Sequence, residues 1–228
     1  MAISLLSAPR TALVAGATGL VGRELLALLS IDARQARAIA LVRRVPADMP
    51  PRCEALVTDF DKLDAATLPP ADDAYCVLGT TIKKAGSKER FREVDFDYCL
   101  AFARAARRAG VRRFCIVTAL GASAASTVYY SRVKGEIEDA LAGLGFEVLH
   151  LFRPSLLAGD RAEWRLGERL TLGLLWPFTG LIPARYRPIH ARVVAAAMIA
   201  AAHDASTGVV VHESDAIARA GRPAAASA

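Results

Sequence analysis

The apolar run Ala12-Leu13-Val14-Ala15 passes directly into Gly16-Ala17-Thr18-Gly19-Leu20-Val21-Gly22, and no other stretch constrains the fold of this chain as strongly. A buried strand that meets three spaced glycines and then a helix is a unit suited to receiving a dinucleotide pyrophosphate. The first glycine permits the tight turn, the second lets backbone N–H groups approach the phosphates, and the third lets the helix pack close to the strand. The helix N-terminus then offers unpaired donors and a partial positive charge to the anion. Leu25, Leu28 and Leu29 continue at helical spacing, which predicts a helix over 19–30. Gly16, Thr18, Gly19, Leu20, Val21 and Gly22 are therefore the candidate phosphate cradle. A purely structural turn is the alternative reading of the same glycines.

Beyond this unit the pattern alternates. Apolar runs at 38–42, 54–57, 74–78, 114–117 and 147–152 read as strands. Between them, 87–110 carries Phe91, Val94, Tyr98, Phe102 and Ala109 on one helical stripe, and 128–143 carries Val133, Ile137 and Leu141. This alternation predicts an α/β fold, a doubly wound parallel sheet of the Rossmann type, as one NAD(P)-binding domain over 1–228 with its core at about 10–212. After Pro154 the pattern becomes a small irregular and helical substrate segment. It comprises an apolar stretch at 170–183, a helix at 190–203 and a short strand at 208–211. The alanine-rich tail, 216–228, is expected to fray.

The 228 residues are enough for one domain with a full core. Hydrophobic residues make up 54% of the chain, yet no stretch is long enough to span a bilayer. The start of the chain lacks the basic region of a secretory signal. Cys53, Cys76, Cys99 and Cys115 form no C-x-x-C pair, which points to reduced thiols in a cytoplasmic protein and to no metal site. The net charge of +6 comes from arginines, densest at Arg104, Arg107, Arg108, Arg112 and Arg113. That patch lacks interleaved aromatics, so it reads as a solvated face and not a nucleic-acid surface. The expected partner is a small-molecule substrate.

In a doubly wound sheet, ligands bind outside the carboxyl ends of the strands, so residues there are read together. The second strand ends in Arg43-Arg44, where an NAD-binding protein would offer a carboxylate to the ribose hydroxyls. Two arginines suit a 2′-phosphate instead, which favours NADP(H) over NAD(H). Asp59 and Phe60 follow the third strand, placed to flank an adenine. Gly79-Thr80-Thr81 follow the fourth, where a residue without a side chain lets a cofactor lie against the backbone. Tyr130 and Lys134 stand at i and i+4 and so share a helix face. A neighbouring ammonium favours the phenolate form, which suits a tyrosine to give a proton to a carbonyl oxygen as hydride arrives at carbon. Thr118, at the end of the fifth strand, is placed to hold that same oxygen.

The glycine loop, Thr118 and Tyr130-x-x-x-Lys134 together resemble the short-chain dehydrogenase/reductase superfamily. Cys76-Val77-Leu78-Gly79-Thr80-Thr81, Lys84-Ala85-Gly86-Ser87, Val94-Asp95, Val133-Lys134-Gly135-Glu136-Ile137-Glu138 and Phe152-Arg153-Pro154 narrow the likeness. They are similar to the atypical subgroup typified by the human Tat-interacting-protein oxidoreductase and its bacterial NAD(P)-binding relatives. The resemblance implies NADP(H) binding, with Tyr130 as acid/base, Lys134 as ribose binder and Thr118 as a substrate-orienting hydroxyl. It also implies that Pro154, Ser155 and Leu156 lie beside the nicotinamide. The chain departs from the superfamily at Thr118, where serine is common, and at Asp95, where many members carry asparagine.

Three functions compete on this reading. The first is an NADPH-dependent oxidoreductase acting on a small carbonyl or alcohol. The second is an epimerase or dehydratase with tightly bound NAD(P). The third is a regulator whose NADPH occupancy changes its grip on a protein partner. The stretch 170–183 is expected to pack over the nicotinamide site as an apolar substrate wall. Ordinary core packing, or a peripheral membrane or dimer contact, is the alternative for it.

Overall fold

The computed structural model describes residues 9–158 and 183–221, so most of the apolar stretch 170–183 and the end of the tail lie outside the described residues. In chain order the elements are Arg10–Ala15 (β1), Leu20–Ile31 (α1), Gln35–Val42 (β2), Cys53–Val57 (β3) and Asp73–Cys76 (β4). Ile82–Ala85 (α2), Lys88–Arg92 (α3), Tyr98–Arg108 (α4), Arg113–Val117 (β5), Tyr129–Ala142 (α5) and Val148–Arg153 (β6) follow. The two-residue strands Leu157–Ala158 (β7) and Ile189–His190 (β8) pair with each other. Ala191–Ala202 (α6), Gly208–Glu213 (β9) and Ser214–Ala220 (α7) complete the described chain.

Seven strands form one sheet in the order β3-β2-β1-β4-β5-β6-β9, and every pairing is parallel. Because successive side chains point to opposite faces, each central strand feeds two cores. Ala12, Val14, Ala38, Ala40 and Phe152 face α1 and α6, joined there by Leu25, Leu29 and Met198. Leu13, Ala15, Ile39, Leu41 and Ile116 face the other layer, where Phe102, Ile137 and Leu141 cover them. Strands buried on both faces need near-continuous apolar sequence, which is what β1, β2 and β5 show. The chain crosses from β1 to one side of the sheet and returns to β4 on the other. This leaves a crevice at their carboxyl ends, the place where such sheets bind ligands.

Two expectations change. The predicted helix 87–110 is interrupted: Glu93–Asp97 form a π-helical turn between α3 and α4. The extra residue accommodated there turns Asp95 into the protein, where it is fully buried. The stretch from 216 onward, expected to fray, begins as part of α7, anchored by the fully buried Ile217. Gly221 closes that helix against Val193, where any side chain would collide with the α6 backbone.

Candidate active site

The turn between β1 and α1 depends on its glycines for two separate reasons. Gly16 has φ +90°, and a Cβ there would lie 2.5 Å from the carbonyl of Val77 at the end of β4. At Gly22 a Cβ would lie 2.2 Å from the Gly16 carbonyl oxygen. Gly16 thus brings the turn onto β4, and Gly22 brings α1 onto the turn. Gly19 is the N-cap of α1 and offers no side-chain acceptor, and the first turn carries no acidic residue. The N–H groups at this helix end are therefore neither capped by a side chain nor electrostatically quenched, which fits them to an anionic pyrophosphate.

These groups open into a cavity of about 440 Å³ lined by Thr18, Gly19, Leu20 and Val21 from the turn and by Gly79, Thr80 and Thr81 from the end of β4. Thr118, Tyr130 and Lys134 line the same cavity. Residues from four separate stretches of sequence are thus brought together. Three charged residues outside the expected site set also line it: Arg23, Lys84 and Asp95. Arg23 sits on the first turn of α1, so a basic residue directly after the third glycine was the available signal. Gly79 leaves room of its own, since a Cβ there would stand 3.6 Å from an Asp95 carboxylate oxygen and 3.8 Å from Lys134 Nζ.

The floor of the cavity is an ion pair, Lys134 Nζ to Asp95 Oδ1 at 2.7 Å, with side chains 5% and 0% exposed. The Thr80 N–H donates to the other Asp95 oxygen at 2.9 Å. Burial alone would lower the Lys134 pKa, but the adjacent Asp95 carboxylate, with Tyr130 also in electrostatic reach, pushes it up and keeps it an ammonium. Burial pushes the Asp95 carboxyl up, and Lys134 and the Thr80 N–H oppose that shift. Tyr130 is half-buried, one turn of α5 before Lys134, with its ring 5.4 Å from that of Phe91.

Thr118 stands differently from expectation. Its hydroxyl donates to the buried Glu138 carboxylate at 2.6 Å, with the Phe152 carbonyl 3.3 Å away. Glu138 is gripped by Arg153 through Nε at 3.1 Å and Nη2 at 2.5 Å, and Arg153 reaches Glu213 at 3.3 Å.

Several other expected residues lie outside this cavity. Arg43 and Arg44 are exposed at the end of β2 and form no ion pair with a described residue. Phe60 is buried in the opposite layer, its ring 5.7 Å from that of Tyr98, so its side chain is not free to flank an adenine. Asp59 caps the 3-10 turn Phe60–Ala65 by accepting from the Asp61 N–H, beside a separate hollow of about 350 Å³. Pro154 is buried, Ser155 is tied to Arg187 and Ser214, and Leu156 is exposed; the neighbouring Leu157 is the residue of this stretch that reaches the cavity. A signal for that one-residue offset is lacking in the sequence, because Leu156 and Leu157 are chemically alike.

The family model described as NAD(P)H-binding matches residues 16–151. Among curated proteins, the chain is 35% identical over 161 residues to protein fmp52, mitochondrial, of Emericella nidulans, covering 67% of this chain and 69% of that protein. It is 42% identical over 116 residues to protein HTATIP2 of Rattus norvegicus, covering 50% of this chain and 48% of that one. Among solved structures, an oxidoreductase of the short-chain dehydrogenase/reductase family from Burkholderia thailandensis superposes with a TM-score of 0.68. It is 20% identical and covers 93% of this chain and 94% of that one, a likeness of fold.

The fungal name corrects one expectation. The cytoplasmic placement was read from unpaired thiols, whereas the fmp52 relatives are named mitochondrial. Free cysteines, buried as Cys76, Cys99 and Cys115 are, fix no particular compartment. Among the described residues, no helix is long and apolar enough to cross a membrane.

Proposed function

The chain belongs to the NAD(P)H-binding family as an atypical short-chain dehydrogenase/reductase, and from that premise we propose that it is an NADPH-dependent oxidoreductase acting on a small carbonyl or alcohol. The observation that carries this reading is that Tyr130 and Lys134 line the same cavity as the glycine turn and the N-terminus of α1. NADPH, when bound, supplies the hydride that reduces a carbonyl carbon. Thr18, Gly19, Leu20 and Val21 hold the pyrophosphate through backbone donors, and Arg23 adds a full positive charge at the same wall. Lys134, kept charged by Asp95, donates to the ribose hydroxyls. Tyr130 gives its phenolic proton to the substrate oxygen. Arg43 and Arg44 favour NADPH because a guanidinium can grip the 2′-phosphate with two parallel bonds, and an unpaired exposed arginine is free to do so.

Calorimetric titration with NADPH and NADH at one salt concentration, followed by a panel of aldehydes and ketones, tests both parts. NADPH binds more tightly, and Arg44→Glu reduces that preference; equal affinities in the unaltered protein refute the cofactor assignment. Tyr130→Phe retains NADPH binding and loses about 100- to 10,000-fold in turnover. A protein that binds NADPH yet reduces no carbonyl refutes the oxidoreductase reading and leaves nucleotide sensing in its place.

A further inference from the structure

We propose that Glu138 and Arg153 are a positioning pair that commits the Thr118 hydroxyl hydrogen to the protein interior, so that Thr118 meets a ligand only as a hydrogen-bond acceptor. The inference deepens the functional reading above and rests on its assignment of the cavity as the ligand site. It assigns the chemistry recognised at Thr118: a hydroxyl or N–H donor on the ligand, distinct from the carbonyl oxygen being reduced.

A threonine hydroxyl has one hydrogen to give and two lone pairs to receive with. Both protein groups within reach of Thr118 Oγ1, the Glu138 carboxylate at 2.6 Å and the Phe152 carbonyl at 3.3 Å, are acceptors. Neither can donate, so the hydrogen points inward. The shorter contact falls in the range of charge-assisted O–H···O⁻ bonds, which are about twice as strong as neutral ones. Glu138 can act only as an acceptor here, because each of its oxygens already receives an N–H from Arg153. Arginine does not deprotonate in proteins, so this carboxylate keeps a permanent counter-ion. With Thr118 5% exposed and Glu138 4% exposed, water does not compete effectively for the hydroxyl.

The placement makes the arrangement part of the site. Glu138 stands one turn beyond Lys134 and two beyond Tyr130 on α5, so all three lie along one helix stripe. Turning the Thr118 hydrogen toward a substrate carbonyl would leave a buried carboxylate oxygen without its shortest partner. Tyr130 is accordingly the proton donor at the reacting oxygen, and Thr118 receives from a second polar group.

Neutron diffraction from perdeuterated crystals of the full chain, grown with and without NADPH, reads the hydroxyl directly. The deuteron on Thr118 Oγ1 is expected on the line to Glu138 Oε1 in both crystals. A deuteron pointing into the cavity in either crystal overturns the proposal. In Glu138→Leu the nearer acceptor is gone, and the deuteron is expected to leave that line for the Phe152 carbonyl or the cavity; a hydroxyl held by Phe152 from the start predicts no such change. Thr118→Ser, with Glu138 in place, is expected to keep the inward direction seen in the unaltered protein. A deuteron whose direction is the same in Glu138→Leu as in the unaltered protein overturns the assignment of Glu138 as the positioning group. If calorimetry shows no NADPH binding while the deuteron points inward, the functional reading fails and the hydroxyl orientation stands.

Discussion

Replacing Lys134 by methionine isolates the charge balance at the floor of the cavity. Methionine keeps the length and most of the apolar contact of lysine but removes the ammonium that lies 2.7 Å from Asp95. The carboxylate is then left with the Thr80 N–H as its remaining partner, in a place with no exposure. Breaking a buried pair by removing one partner destabilises by about 3–5 kcal/mol, and the surviving hydrogen bond places this case near about 3 kcal/mol. The loss carries a pH signature. Asp95 already titrates above its ordinary value because of burial, and losing Lys134 moves it further up. Between the unfolded and the raised folded pKa, the native state binds more protons than the unfolded one, so stability falls as pH rises through that interval. Urea unfolding followed by far-ultraviolet circular dichroism at pH 5 and pH 8 reads both effects. The deficit of Lys134→Met relative to the unaltered chain is expected to be small at pH 5 and full at pH 8. Asp95→Asn combined with Lys134→Met is expected to recover most of it, since no buried charge then remains. A deficit under about 1 kcal/mol at pH 8, or one that is equal at both pH values, would refute the reasoning.

Two further outcomes follow from packing and from titration. Gly22→Ala is expected to lower stability by about 1–3 kcal/mol, the range for overpacking, because its Cβ would stand 2.2 Å from the Gly16 carbonyl oxygen; it should also abolish NADPH binding in calorimetry, and unchanged melting with unchanged affinity would contradict the close-approach role. His150, wholly enclosed in β6, is pushed down from 6.5 to about 4 by burial and by the neighbouring His212. It stays neutral in the fold while the unfolded chain takes up a proton below 6.5, so stability is lost as pH falls from there toward 4, by roughly 2 kcal/mol at pH 5. Thermal melts of the unaltered chain and of His150→Phe between pH 7 and pH 5 check this, and an equal change of midpoint in both over that interval would exclude it.

The sheet and its helices were legible because each strand that matters is an apolar run bounded by turn residues, and each covering helix has its own stripe. β1 with its glycines could be read as it stands, and so could the Tyr130–Lys134 pair, since i and i+4 spacing survives any detail of packing. The π-turn at Glu93–Asp97 was not legible. Phe91, Val94, Tyr98 and Phe102 keep spacings of three and four through it, so the stripe reads as one α-helix while the intervening Asp95 is turned inward. The commitment of Thr118 was hidden for a different reason. Its partners, Glu138 and the Phe152 carbonyl, come from two later elements, and no periodicity relates a strand end to a helix face twenty positions on. An aromatic after a strand suits both an adenine and a core, and it is the packing of Tyr98 against Phe60 that puts this side chain in the core. In α7 the alanine-rich composition concealed Ile217, the one bulky side chain that anchors the helix.

One helix organises the polar chemistry of the site. Along α5, Tyr130, Lys134 and Glu138 succeed one another by single turns, and each meets a different part of the chain. Tyr130 faces the open cavity, Lys134 is held by the π-turn through Asp95, and Glu138 is held by β6 through Arg153 while it receives from β5 through Thr118. Such a stripe works only if α5 lies close to the loop that follows β5. Gly135 permits this: a Cβ there would stand 2.1 Å from the backbone of Ser123 and Ala124, so the helix sits against that loop with no side chain between. Placing Gly135 next to Lys134 fixes the height of the whole stripe over the strand ends. A substitution at Gly135 would displace the proton donor, the ammonium and the positioning carboxylate together. For that reason Gly135, which touches no ligand-facing atom in the cavity, constrains the site as tightly as the residues that line it.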